Sequence, residues 1–536
     1  MKSVKHDSKE DNAGVHFSDI GRRDFLKMGV GTGASVAISQ MIPPSNAMAQ
    51  ESANLLVDDA TQPLVGWLDG GKRTGPGWKN TANRSSGNGP MDATTREIVE
   101  YVISFSESQL TGSLVDAVRF TMLDSLAALI AGFESESARI CARLARTTRS
   151  DLKSTVLGYG ITTTPDIAAF ANGCMVRHTD FNDIPHNSDI VSGIFAIGEA
   201  VHSTGPEMLV AIALGYELAS GIRTGGQGPG AGWDGIANGP AVAMAMGKLL
   251  KMNEDQLANA LSLSLVPHIP LKVTHVGALS MWKGCHSAES VRCAVFDTLL
   301  AREGMTGPSQ PFEARQGLFE HMGRPSRPIR LPISTDGRME IERAGYKRFP
   351  SEGSTQSVLD ELTPAVREFT RPDDIASIYI ELPYDGWLET ADPPKWDPRN
   401  RETADHSMPY VIARALIDGD IYLNSFTEEK FMDPVARQLM DKITAGPNND
   451  YTYQGEARIT VVTKTGQKMV KETLLHMNRP MTHQEIIDKF NRVCAFRSIS
   501  NPQRDRARDL WLNLQKVKDF AEPMNALASF GNPRPL

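Results

Sequence analysis

The chain has 536 residues and a formal net charge of -8, with 40% hydrophobic, 22% charged and 7% aromatic side chains. That length is enough for several domains and a large core, and the composition is that of an ordinary globular protein rather than a disordered or membrane-embedded one. A negative balance argues against nucleic acid as a partner, which would want a basic face, but leaves room for an anionic metabolite if Lys, Arg and His are focused in one cleft.

The N-terminal stretch Gly21-Arg22-Arg23-Asp24-Phe25-Leu26-Lys27 resembles the signals of the twin-arginine export route. It is followed by a mild apolar run over 28–42 and by Ala47-Met48-Ala49, whose small side chains a signal peptidase admits. Residues 1–49 are therefore expected to be a signal peptide cleaved near Ala49, with the twin-arginine machinery as a partner and a periplasmic or exported mature protein. An apolar run of about 15 residues is too short to span ~30 Å of hydrocarbon, so no stable membrane insertion is expected. Cys141, Cys174, Cys285, Cys293 and Cys494 form no Cys-x-x-Cys pair, no zinc or iron–sulfur spacing and no disulfide framework. They read as buried thiols, as suits a protein exported already folded.

Residues 50–91 are rich in Gly, Asn, Ser, Thr and Pro and read as an extended arm or linker. A helical domain is expected over 92–327. Asp92 or Thr94 can cap a first helix with the stripe Ile98, Val99, Val102, Ile103 and Phe105, and a second runs from about 114 to a stop at Gly132. Further helical patterns cover 191–201, 207–222, 241–250, 253–265 and 291–303, with a glycine-rich break at 225–232. Near Pro328 the texture changes. Residues 377–382, 456–463 and 468–474 alternate as strands, with 464–467 as a hairpin turn and helices at 355–362 and 409–417, so 328–478 read as an α+β domain. The helical period returns through Ile486, Phe490, Val493, Leu510 and Leu514, so 479–536 are expected to rejoin the helical domain. The expected fold is mainly α, an all-helical domain interrupted by an inserted, smaller α+β domain.

Ionisable and amide side chains concentrate over 171–189. Asp180, Asp183, His186 and Asp189 recur every three residues across the break that Pro185 and Asn187 impose on a helix. A helix end that unravels into a loop can aim its last side chains into a cleft. The bland alternative is that Asp183 and Asp189 cap helices and that His178 and His186 are surface histidines.

Four other motifs can carry chemistry. Met281-Trp-Lys283-Gly-Cys-His286 sets a lysine beside a tryptophan at a helix start, where a desolvated ammonium is a natural carboxylate clamp. Lys347-Arg348-Phe-Pro-Ser-Glu352 puts two cations before a helix whose N-terminal amides can receive an anion. Ala404-Asp-His-Ser-Met-Pro-Tyr410 leads into a helix, and Trp233-Asp234-Gly follows the glycine run.

Taken together, Asp180-Phe-Asn-Asp183, Ser280-Met-Trp-Lys-Gly284, Lys347-Arg-Phe-Pro350 and Ala404-Asp-His-Ser-Met-Pro-Tyr410 closely resemble the 2-methylcitrate dehydratase superfamily, MmgE/PrpD, which includes cis-aconitate decarboxylase. The resemblance spans 94–520. It implies the helical domain with its α+β insertion, a homodimer, a small tricarboxylate or related substrate, and no cofactor. Residue by residue it implies active-site roles for Asp180, Asp183, His186 and Lys283. Asp234 falls at the polar position that dehydratases keep, and Glu352 where decarboxylases carry a histidine. Departures at Ile184 (usually Thr), Asn187 (usually Pro) and His275 (commonly Arg) touch the substrate cleft.

The expected chemistry is a metal-independent hydro-lyase removing water from a small hydroxy di- or tricarboxylate. A base takes the proton α to a carboxylate, and an acid protonates the departing hydroxyl. His186, oriented by Asp180 or Asp183, is expected to handle protons and Lys283 to grip a carboxylate, with Asp234, His275, Lys347, Arg348 and Glu352 binding substrate. The same abstraction begins a decarboxylation or an isomerisation or epimerisation. A non-catalytic exported carboxylate-binding protein is the alternative from another class. A nicotinamide enzyme is disfavoured, because the glycines at 225–232 do not join a strand to a helix in a βαβ unit.

Overall fold

The computed structural model describes residues 89–226, 235–268, 270–321, 329–475 and 479–536. The expected signal peptide, nearly all of the arm, and Asp234 lie outside the described residues.

Helix α1 (Ala93–Ser104) starts as its sequence asks, with Asp92 Oδ1 accepting from the Thr95 amide at 2.7 Å. α2 (Gly112–Gly132) and α3 (Glu136–Ala145) follow. A small hairpin, β1 (Ser154–Val156) with β2 (Ile161–Thr163), has strands of three residues, too short to leave an alternating signature. α4 (Pro165–His178) begins on a proline and ends on Arg177 and His178, the residue types each helix end favours. α5 (Val191–Ala200), α6 (Gly205–Gly226), α7 (Asn238–Leu249), α8 (Glu254–Leu265) and α9 (His286–Arg302) come next.

α4 lies at the middle of these helices and packs on α2, α3, α5 and α9. Its neighbours come close: a Cβ at Gly132 of α2 would stand 2.2 Å from the Met175 carbonyl oxygen. Gly132, legible only as a stop, is thus also a contact face. The last turn of α4 is held from several sides, which fixes where the chain leaves it.

The second half holds β3 (Ile375–Leu382), α10 (Tyr384–Thr390), α11 (Met408–Asp418), β4 (Ile443–Pro447), β5 (Ala457–Thr463) and β6 (Lys468–Thr473). The sheet order is β4-β3-β5-β6, with β3 and β4 parallel and the other pairs antiparallel. β4, which ends in Gly446-Pro447, has no sequence pattern of its own and was not expected. The chain closes with α12 (His483–Phe496), α13 (Asn501–Leu512) and the short α14 (Ala521–Ala526).

Buried apolar side chains fall into two clusters. One joins residues of 98–341 to Ile486, Phe490, Val493, Trp511 and Phe520, and the other gathers residues of 358–461 around the sheet. The fold is mainly helical with a small mixed sheet. Among the described residues no helix is long and apolar enough to cross a membrane.

Candidate active site

At the end of α4 the chain turns through Asp180 and His186, both in the left-handed region at φ 51° and 70°. Aspartate tolerates that region better than most residues. Between them, Ile184 exchanges backbone bonds with Gly345, N to O at 2.9 Å and 3.0 Å. This bridge lays the segment after Gly345 beside the loop and delivers Lys347. The Lys347 ammonium donates to Asp180 Oδ2 at 2.5 Å, and Arg177 donates to Asp180 Oδ1. Asp180 and Lys347 are buried.

Burial by itself would raise the pKa of Asp180, but Lys347, Arg177 and Lys283 hold its carboxyl well below the usual carboxylate range. Asp180 is therefore a fixed anion. The Arg177 Nη1 also stands 3.3 Å from each ring nitrogen of His186. Burial, with the cations Arg177 and Lys347, pushes His186 well below the ordinary imidazole value, so the ring rests neutral.

These groups line a cavity of about 360 Å³ together with Ile184, Pro185, Lys272, His275, Glu352, Glu389, His406 and Gln454. Glu352 receives neutral donors: the Ser354 amide at 2.6 Å on Oε2 and Gln454 Nε2 at 2.6 Å on Oε1. Burial first and the nearby Glu389 second push its carboxyl up to about 7, against the opposing pull of Lys347. Glu389 itself pairs with Lys272 at 2.6 Å. On another wall the His406 ring stacks at 6.0 Å on His275, which meets His286 edge-on at 4.9 Å. Among the described residues no group of three or more His, Cys, Asp or Glu side chains is arranged to hold a metal ion.

Of the residues singled out from sequence, the cavity brings together Asp180, His186, His275, Lys347 and Glu352. Lys283 is not on its wall. Its ammonium is fully buried and lies 3.1 Å from each carboxylate oxygen of Asp405, which in turn takes His406 Nδ1 at 2.7 Å. By hydrogen bonds Lys283 thus reaches the cavity through Asp405 and His406, and by charge it also acts on Asp180. A Cβ at Gly284 would stand 3.1 Å from the His178 Cα, so this lysine turn sits directly on the end of α4.

Asp183 also faces away, accepting from the Ser188 amide at 3.1 Å and from the Ser188 hydroxyl, and burial pushes it up to about 6. Arg348 departs from the expectation of a substrate contact: it donates to Glu485 at 2.9 Å and lies 3.7 Å from Asp360, off the cavity. Neighbours in an extended segment point to opposite sides, so one register cannot serve both Lys347 and Arg348. The amide of Ser354, just before the helix at 355–357, is taken by the chain's own Glu352 rather than left for an outside anion. Asp189 does not cap α5. Its carboxylate accepts from Asn182 Nδ2 at 3.1 Å and stands 3.7 Å from Arg177 Nε, where it helps to orient that guanidinium.

Sequence reasoning missed Arg177, Lys272, Glu389, His406 and Gln454. Arg177 had a signal, the Arg177 to Asp180 spacing of one helical turn. His406 stands inside a motif already singled out. Lys272, Glu389 and Gln454 reach the cavity from three separate segments, with nothing local to mark them.

Residues 96–329 match the MmgE/PrpD N-terminal domain and residues 349–515 the MmgE/PrpD C-terminal domain. Among curated relatives, the chain is 24% identical to a cis-aconitate decarboxylase of Homo sapiens, over 80% of this chain and 93% of that protein. It is 20% identical to a cis-aconitate decarboxylase of Aspergillus terreus, over 83% and 98%. It is 25% identical to a probable 2-methylcitrate dehydratase of Saccharomyces cerevisiae, over 66% and 73%.

Proposed function

The chain belongs to the MmgE/PrpD family, and from that membership we propose that it is a lyase that removes water from a small hydroxy di- or tricarboxylate by proton abstraction α to a carboxylate. The observation that carries this reading is the neutral His186 set against Arg177 beside the fixed Asp180–Lys347 pair, all on one cavity. A neutral imidazole can take the α proton. Charge that develops on the substrate carboxylate as the C–H bond breaks falls near Lys347 and Arg177, which are already oriented by Asp180. The carbon–carbon double bond forms as the C–O bond breaks, and the Glu352 carboxyl, which keeps its proton up to about pH 7, supplies it to the departing hydroxyl. Asp180 is then an orienting anion rather than a base. Lys283 acts through Asp405 to hold His406.

Decarboxylation is the second reading, favoured by the breadth of the match to the cis-aconitate decarboxylases. It begins at the same carboxylate-binding groups but leaves Glu352 to protonate carbon instead of oxygen. Incubation with citrate, 2-methylcitrate, cis-aconitate and amino-dicarboxylate relatives, followed by mass spectrometry, decides between them. Loss of water from a hydroxy acid, about 18 mass units, is the expected result, and loss of carbon dioxide supports the second reading. Binding without any product would overturn both.

The two core clusters support a helical domain interrupted by an α+β domain, but with the first boundary between 341 and 358 rather than at 328, because Ile329, Met339 and Ile341 pack in the helical cluster. Residues 1–49 are read as a twin-arginine signal. Replacing Arg22 and Arg23 by Lys should hold the protein in the cytoplasm, and unchanged export would sink that reading.

A further inference from the structure

Lys489 projects from α12, far along the chain from every catalytic group, yet its ammonium is buried against the back of the site. Its three N–H donors meet three acceptors: Asp124 Oδ1 at 2.6 Å, the Phe181 carbonyl at 2.6 Å and the Lys347 carbonyl at 3.0 Å. An ammonium has no fourth donor, so the group is saturated. Phe181 follows Asp180 directly, and Lys347 is the partner of Asp180 across the 2.5 Å contact. One charge therefore ties the two backbone segments that bear the ion pair. The same nitrogen stands 3.9 Å from the centroid of the Phe181 ring, which fixes that residue by its side chain as well. Asp124, fully buried on α2, supplies the compensating charge. Asp180 sits at φ 51°, a conformation that a surrounding structure has to hold in place.

We propose that Lys489, with Asp124 as its counter-ion, is a positioning residue: it sets the separation and register of Asp180 and Lys347 by holding the backbone carbonyls beside them. The inference rests on the reading of the cavity as the catalytic site. Lys489 is not itself among the residues lining the cavity and does not meet substrate. Its contribution is to the rate of the bound complex rather than to binding, because a misplacement of about 1 Å in a catalytic group can lower a rate by ~10².

Lys489→Arg tests this while keeping the charge beside Asp124. A planar guanidinium is longer than an ammonium and cannot point three donors at the same three oxygens. The expected result is a kcat lower by about 10- to 100-fold with KM within about 3-fold, in a protein that still unfolds cooperatively and above the assay temperature. Should the larger side chain prevent folding, Lys489→Met/Asp124→Asn removes both charges together and is read in the same way. Asp180→Asn and Lys347→Met are assayed alongside, on whichever of citrate, 2-methylcitrate or cis-aconitate the wild-type chain turns over. If no substrate is turned over, or if those two variants keep full activity, the reading of the site fails. If they lose activity while Lys489→Arg keeps wild-type kcat, the positioning role alone is overturned.

Discussion

Replacing Lys347 by Met takes one of two cations off Asp180 and keeps most of the side chain's length. The ammonium is 0% exposed and the carboxylate 2% exposed, so water screens little of the 2.5 Å contact. Removing one partner of a buried pair costs about 3–5 kcal/mol. Arg177 remains on the other carboxylate oxygen, which puts the expected loss near the lower end, about 3 kcal/mol. The same change removes a preoriented cation from the cavity wall, and the loss of one such donor lowers kcat by about 10²–10³. Urea unfolding followed by circular dichroism reads the first effect, and product formation by mass spectrometry the second. Since the two side chains are partners, Asp180→Asn/Lys347→Met should lose less stability than the two single changes summed, by about 1–3 kcal/mol. Wild-type stability and wild-type kcat in Lys347→Met would refute both the burial and the catalytic reasoning.

Glu352 gives a pH prediction. Its carboxyl holds a proton up to about 7, higher than it would in the unfolded chain, so its contribution to stability is complete below the ordinary glutamate range and is lost as pH rises through about 7. At pH 8 and above, Glu352→Gln is therefore expected to be more stable than wild type by up to about 3 kcal/mol in urea titrations. The same variant should lose about 10²–10⁴ in kcat, together with the fall in rate expected of wild type above neutrality; an unchanged alkaline limb would remove Glu352 as the acid. Arg348→Ala is the contrast. Its partners are Glu485 and Asp360, and Glu485 is also held by Arg479 at 3.1 Å. Steady-state kinetics should find kcat and KM within about 3-fold of wild type, whereas a rise in KM of about 100-fold would return Arg348 to the substrate.

Much of the helical body was legible because its signals are local. Asp92 caps α1, and Asn253 caps α8 in a reciprocal pair with Gln256 at 2.9 Å and 3.1 Å. The alternation of β5 is carried directly into its burial, with every second residue inside. The missed elements lack such signals: β1 and β2 are too short, and β4 gains its identity only by pairing in parallel with β3.

The site divides along the same line. The Asp180 and His186 turn could be read from the clustering of polar groups at a helix break. What could not be read is direction. Lys347 and Arg348 are adjacent and alike, yet a single backbone register sends one to Asp180 and the other to Glu485. Lys283 had the right residue type in the right motif, but whether a buried lysine meets a ligand or a carboxylate of its own chain depends on Asp405, 122 positions away. Asp189 resembled a helix cap in sequence, and tertiary contact with Arg177 and Asn182 gave it another task.

The central claim is that the neutral His186 removes a proton from carbon α to a carboxylate. Turnover in deuterated water, with wild type and His186→Gln compared by NMR, tests it most directly. Wild type should incorporate solvent deuterium at the α carbon of recovered substrate or of product formed in reverse, and His186→Gln should lose exchange and turnover together while still binding the carboxylate. Undiminished exchange in His186→Gln would contradict the assignment of the base.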